Sequence, residues 1–241
     1  MIDEELYLLR DDLYRNGKVF ISKRWQGQED PPAFLELYQV TFHALMYDDI
    51  KMGANKLEIN KEWCYEHFAE RVSGVPYNPP PSHVKWNTKT EEYLMDDVFS
   101  HTYPERLWPK DLGMSGVRFD IADLNTAINV LKNDPETRQC FVPIWFPEDG
   151  EASLKGERVP CTIGWQFLLR DNKLHCLYFI RSMDAVRHAH HDIWFCNAMT
   201  QYMINKASLD VEVGYLSMSV GSFHCFENDR YTLNKLLEGK L

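Results

Sequence analysis

Four short patterns in this chain carry side chains able to do covalent chemistry. Pro160-Cys161 supplies a thiol, Arg181-Ser182-Met183-Asp184 a cation and a carboxylate, Asp192 a second carboxylate, and His224, after Gly221-Ser222, an imidazole. A thiol attacks as its thiolate, and a thiolate near neutral pH needs a neighbouring cation, for which Arg181 is the natural candidate. Each residue also has a plainer reading. A cysteine opening a strand is more often a small buried hydrophobe, Arg181 with Asp184 can be a surface ion pair, and Asp192 can simply cap a helix.

The elements that must position these groups are legible from pattern. Residues 163–169 and 174–180 flank the polar run Arg170-Asp171-Asn172-Lys173 and predict a β-hairpin, with Cys161 before one strand and Arg181 ending the other. Residues 192–204 predict a long helix with Asp192 near its N-terminal end. Strand ends and helix starts are where directed side chains and exposed backbone meet, so these four patterns stand where sites are built. Elsewhere, 6–14 reads as an amphipathic helix, 34–46 as a strand, 61–72 as a helix, 140–145 as a β-like run, 213–219 as a strand and 231–237 as a closing helix. Ile121, Leu124, Ile128 and Leu131 fall at helical spacing, and Asn133-Asp134-Pro135 stops that helix. The stretch 74–82, GVPYNPPPS, is a loop, because consecutive prolines remove donors and force extended backbone. The mixture predicts an α+β fold with strands concentrated in the second half, and 241 residues suit one domain over 1–241.

Composition bounds the partners. Hydrophobic residues at 44% fit a folded core, and a formal charge of −10 argues against phosphate-driven binding to nucleic acid while leaving a small phosphorylated ligand open. The acidic, amphipathic first residues do not read as a signal peptide, and no run approaches the ~18 apolar residues of a membrane span. Six cysteines without a C-x-x-C pair suggest free thiols in a reducing cytoplasm. His188, His190 and His191 lack the ligand spacing of a zinc site, so no metal is expected.

In order and spacing, Arg138 after Asn133-Asp134-Pro135, VPCTIGWQF around Cys161, FIRSMD around Arg181 and GSFHCF around His224 resemble the thymidylate synthase family. The resemblance covers residues 133–226 well and reaches loosely back to Trp86. It implies a three-layer α+β fold with a mixed twisted sheet that packs in a homodimer. It also implies a one-carbon transfer from 5,10-methylenetetrahydrofolate to C5 of a pyrimidine nucleoside monophosphate, with Cys161 adding at C6. By the same resemblance Arg181, Ser182, Gln166 and the partner-reaching Arg138 serve the nucleotide. Asp184 faces the folate or the base, His224 the ribose hydroxyl, Tyr103 the one-carbon unit, and Trp86-Asn87 the folate.

Where that family carries an asparagine eleven residues after the arginine of Arg-Ser-x-Asp, this chain has Asp192. An amide reads uracil by donating to O4. A carboxylate only accepts, so it pairs with the N4 amino group of cytosine and with a proton on N3, and repels O4. The pair Cys161-Thr162 replaces the family's usual Cys-His. Both departures resemble the phage deoxycytidylate hydroxymethylases of this family and imply dCMP as substrate, 5-hydroxymethyl-dCMP as product, and the cytoplasm of a phage's host as location.

Other departures point elsewhere. Gln139 stands for the family's second phosphate arginine, Phe226 for a sugar-bonding tyrosine, and Ala185-Val186-Arg187-His188 for a glycine-rich stretch, where Arg187 is a candidate for phosphate or folate. The family's catalytic glutamate falls on Glu62 or Glu66, with Glu62 preferred, and the amino-terminal phosphate arginine on Lys23 or Arg24. Thymidylate synthase itself, a dCMP methyltransferase, and a non-catalytic nucleotide binder remain the competing readings.

Overall fold

The computed structural model describes residues 1–22, 32–86, 94–109 and 123–239. Lys23, Arg24, Asn87 and Ile121, to which the sequence assigns roles, lie outside them.

The predicted hairpin is present and longer than its pattern suggests. Asp171 and Asn172 take positive φ of 51° and 58°, the mirror-image turn whose twist matches paired strands and which short Asx side chains tolerate. They join β4 (Thr162–Arg170) to β5 (Lys173–Asp184) antiparallel. The chain then enters α8 (Ala189–Ala207) and returns as β6 (Glu212–Phe226), which lies parallel to β5. A parallel pair needs such a crossover, and the helix supplies it. With β1 (Lys18–Ile21), β2 (Ala33–Leu45) and β3 (Phe141–Pro143), the strands form a six-stranded mixed sheet in the order β1-β2-β6-β5-β4-β3.

Helix α1 (Ile2–Asn16) and α8 pack on one face of the sheet. Outside α8 lie α2 (Ile50–Lys56), α3 (Lys61–Arg71) and α6 (Leu124–Asn133). Thirteen of the 19 residues of α8 are buried, so it is hydrophobic nearly all round, as a helix sandwiched between layers must be. Asn197 is a polar exception: its side chain is fully satisfied by the Tyr47 backbone, accepting from N–H at 3.1 Å and donating to C=O at 2.9 Å. The opposite sheet face is open, with Tyr38, Phe141, Ile163 and Tyr215 all exposed.

The sheet is kinked along one line. Pairing steps from Tyr38↔Ser222 to Val40↔Val220 and from Ile180↔Val220 to Ser182↔Ser222, skipping Gln39, Arg181 and Gly221. Gln39 takes φ 55°, and a Cβ on Gly221 would stand 2.6 Å from the Arg181 carbonyl oxygen. Such a line of bulges reverses which side chains face the core. Before it Tyr178 and Ile180 point inward; after it Met183, Phe223 and Cys225 do.

The proline-rich loop is irregular as expected; it leads into α4 (His83–Trp86) and is bonded to a further short helix. In α5 (Tyr103–Leu107) Thr102 and Glu105 form a capping box, and Glu105 accepts from Asn78 at 3.0 Å while Thr102 donates to the Tyr77 carbonyl at 2.6 Å. Behind it, Arg106 makes two bonds of 2.8 Å to buried Asp149, at the start of α7 (Asp149–Lys155).

Several boundaries differ from the sequence reading. β1 was not expected, because four fully exposed residues show no alternation in burial. The run 140–145 keeps only three strand residues, and the strand expected to end at 219 continues to Phe226 and carries His224. Helix α8 begins at Ala189, not Asp192, with His188 as its N-cap. The closing helix is α9 (Arg230–Leu237), after a 3-10 turn at Glu227–Asp229.

Removing one partner of a buried ion pair strands the other charge. Arg106→Ala is therefore expected to destabilise the fold by roughly 3–5 kcal/mol in urea unfolding, whereas an exposed pair such as Lys173–Glu212 should contribute below about 1 kcal/mol.

Candidate active site

Cys161 lies just before β4, exposed at the mouth of a cleft between the hairpin, α5 and the start of α8. Arg181 crosses to it from β5. Its backbone N–H donates to the Cys161 carbonyl at 2.9 Å, its Nε to Pro160 O at 2.9 Å, and Nη2 to Val159 O at 3.0 Å, leaving Nη2 3.8 Å from the Cys161 sulfur. Three bonds to the Val159–Cys161 segment thus fix a cation against the thiol. Protein packed around the cleft still holds the thiol above the ordinary cysteine range; Arg181 and Arg158 oppose that rise, and Asp192 and Asp184 reinforce it.

Behind Cys161, Thr162 is fully buried and its hydroxyl joins two phenols, Tyr103 at 2.9 Å and Tyr178 at 2.6 Å. Burial drives both phenols upward, so both stay protonated and can donate. Tyr103 is therefore brought to the residue next to Cys161, and Thr162 is the hinge of that arrangement.

Asp192 sits in the first turn of α8, four residues past its N-cap, and its side chain caps nothing. The plainer reading of Asp192 as a helix cap is corrected: its N–H bonds the His188 carbonyl at 2.9 Å within the helix. Its carboxylate makes no hydrogen bond among the described residues. Burial pushes it up to about 7, against the pull of Arg71 and with a smaller push from Asp184.

At the far end of the cleft the kinked sheet presents Ser182, Asp184 and His224. Asp184 is paired across strands with His224; its Oδ1 accepts from the N–H groups of Val186 and Arg187, both at 2.9 Å. Asp184 Oδ2 and His224 Nδ1 are buried without a hydrogen-bond partner. Burial holds the His224 imidazole below its ordinary value, with Asp184 pulling the other way. His224 also stands 5.5 Å from the rings of both Phe34 and Phe226, so aromatic rings flank it.

Other expected residues lie outside this cluster. Gln166 bonds the Arg138 carbonyl at 2.9 Å, and the Arg138 side chain projects exposed from the edge of the molecule. Glu62 is 73% exposed and meets Lys85 at 3.0 Å, and Glu66 shares the same lysine. Neither glutamate touches a cleft residue, so their position gives no support to a catalytic acid at 62. Arg187 is turned to Asp229 at 2.6 Å and lies 3.8 Å from Asp184. Trp86 is half-buried, stacked 5.0 Å from His188 and packed 4.2 Å from Trp63.

Among the described residues no group of three or more His, Cys, Asp or Glu side chains is placed to hold a metal ion. Of the three histidines, His191 has both nitrogens engaged, by the Asn60 N–H and the Arg187 carbonyl, and His190 lies 3.4 Å from Arg10. No described helix is long and apolar enough to cross a membrane.

Sequence reasoning missed Tyr178, Arg158 and Arg71. Tyr178 could have been found two residues before Ile180, the hairpin partner of Thr162, and Arg158 from standing three residues before the thiol. Arg71 carries no such signal.

A thiol pinned beside an arginine at the head of a hairpin, with a carboxylate in the first turn of the following helix, thus sits on a mixed α+β sheet. Residues 54–240 match the thymidylate synthase family model, and the chain belongs to that family. It is 32% identical over 143 residues to a protein of Methanothermobacter thermautotrophicus (strain Delta H) described as "Putative thymidylate synthase". A protein of Methanothermobacter marburgensis with the same description is 29% identical over 143 residues. In both cases the match spans 57% of this chain and 57% of the relative.

Two measurements check the electrostatics. Arg181→Met should move the pH profile of Cys161 alkylation by iodoacetamide upward, because the cation that favours the thiolate is gone. Asp192 binds its proton more tightly folded than unfolded, so stability falls as pH rises between about 4 and about 7. Asp192→Asn should therefore raise Tm at pH 8, by roughly 2–4 °C per kcal/mol relieved, and the gain should vanish below pH about 4.

Proposed function

We propose that this chain is a folate-dependent one-carbon transferase that hydroxymethylates C5 of dCMP, and the observation that carries the choice of base is Asp192. Its carboxylate makes no hydrogen bond among the described residues, its charge reaches Cys161, and it stands on the helix start where, by resemblance, the family's uracil-reading amide would be. Ionised, it accepts from the cytosine N4 amino group and from N3 when that atom carries a proton.

Cys161 is the nucleophile, adding at C6 so that electron density reaches C5. Arg181 keeps the thiolate accessible and leaves Nη1 for the 5′-phosphate, with Ser182 beside it. Tyr103 and Tyr178 hold Thr162, and their hydroxyls can relay away the proton that C5 must lose when its new carbon bond is made. Methylenetetrahydrofolate, when bound, supplies a carbon at the oxidation level of formaldehyde. Asp184, whose Oδ2 makes no hydrogen bond among the described residues, and the Trp86 ring are the groups suited to hold its polar and flat portions. His224 serves the sugar.

The open sheet face and the projecting Arg138 support a homodimer in which each protomer lends that arginine to its partner's phosphate site. Exposed Tyr38, Phe141, Ile163 and Tyr215 would be covered by such sheet-to-sheet packing.

A second reading is favoured by one observation. A carboxyl pushed up to about 7 is protonated in part at neutral pH, and a protonated carboxyl donates to O4 of uracil as an amide does. Methylation of dUMP, the activity that the relatives' description names, is the alternative.

Turnover of dCMP and dUMP with methylenetetrahydrofolate decides between them. The expected result is a dCMP product heavier by one CH2O, a rate that falls as pH drops below about 7, where Asp192 protonates, preference moving toward dUMP in Asp192→Asn, and no turnover in Cys161→Ala. Preference for dUMP in the unaltered protein would select the second reading.

A further inference from the structure

Helix α3 ends in a buried arginine that the reaction described so far does not use. Arg71 is 4% exposed, and its guanidinium lies between two rings, 4.1 Å from the centroid of Tyr103 and 4.0 Å from that of Phe195. Among the described residues its side chain makes no hydrogen bond and no ion pair, and Nε is buried without a partner. Its backbone carbonyl is anchored by the Trp108 indole at 2.8 Å, so the residue is held in place from behind.

Both rings that clamp the guanidinium belong to the cleft. Phe195 follows Asp192 by three residues on α8, and side chains three apart share a helix face. Tyr103 bonds Thr162, the neighbour of Cys161. A buried guanidinium is costly unless an anion balances it, and the anion that shares the helix face of Phe195 is Asp192.

We propose that Arg71 is a positioning residue for the base-reading carboxylate, a cation held by aromatic stacking behind the pocket wall that keeps Asp192 ionised for an amino-pyrimidine. The role rests on the reading of Asp192 as the group that contacts the base. Stacking makes geometric sense of the missing ion pair: a direct salt bridge would occupy the carboxylate oxygens that the base must reach, whereas a cation one ring away supplies charge and leaves them open.

The other titratable groups whose charges act on Asp192 are Cys64 of α3, Tyr103 of α5, Cys161, Tyr178 and Asp184 of the hairpin, and Cys196 of α8 itself. All are neutral or anionic in their titration, so none can replace Arg71 as the source of positive charge. Consistently, Arg71 is the group that draws the Asp192 carboxyl back down against its burial.

The test is the titration of Asp192 in ligand-free protein by carboxylate carbon NMR, with Asp192→Asn assigning the resonance. In Arg71→Met and Arg71→Gln the midpoint should rise by roughly one pH unit or more; a midpoint that stays in place overturns the proposal. If neither variant folds, the reciprocal signal in unaltered protein decides. The Arg71 Nε–H resonance should move with the Asp192 midpoint and lose that movement in Asp192→Asn, and a resonance indifferent to pH overturns it. The acid limb of dCMP turnover should follow the same midpoint in the folded variants. Should the titration shift while dCMP is not a substrate, the assignment of the substrate fails and the role of Arg71 stands.

Discussion

Two anions cannot share a poorly hydrated cleft without raising each other's proton affinity, and the site is built around that constraint. The Cys161 thiolate and the Asp192 carboxylate are each disfavoured by burial, and the charge of Asp192 further disfavours the thiolate. The fold answers with cations delivered from opposite directions. Arg181 arrives from the sheet and is tied to the backbone of the thiol's own segment. Arg71 arrives from the outer helical layer and is held by rings. The two solutions differ in kind: the thiol has a direct donor, while the carboxylate has charge nearby and free oxygens. That difference matches the roles proposed for them, since a nucleophile needs one lone pair released at the right moment and a base-reading group needs both oxygens exposed.

The layers follow from the same need. A middle helix buried on nearly all sides gives Asp192 a rigid mount, and the antiparallel hairpin brings Cys161 and Arg181, 20 residues apart, into contact. The proline-rich loop, structurally irregular, does a precise job by satisfying the cap of α5 and thereby fixing Tyr103.

Much of this was legible in the sequence. The hairpin announced itself by alternation around Asp171-Asn172, and the thiol, the cation and the imidazole by their spacing. The start of α8 was misjudged because Ala189, His190 and His191 carry no capping signal and His188 caps without a side-chain bond. β1 escaped notice since all four of its residues are exposed and pattern reading depends on one face being buried. Arg71 was invisible for a deeper reason. A lone arginine at a helix end ordinarily complements the carbonyls there and faces water, and only the tertiary packing of Tyr103 and Phe195 turns it inward. Glu62 illustrates the converse: an acid beside a tryptophan looked functional by resemblance, yet the first turn of α3 points it at Lys85 on the surface.

Gly221 deserves a last thought as a mechanical part. With a Cβ there only 2.6 Å from the Arg181 carbonyl oxygen, even the smallest side chain would press on the strand that carries the thiol's cation. Sheet architecture and nucleophile reactivity are therefore geared together at a single atom. A stabilising swap that elsewhere in a strand would merely stiffen the backbone would here detune the chemistry, so any engineering of this sheet has to route around that tooth.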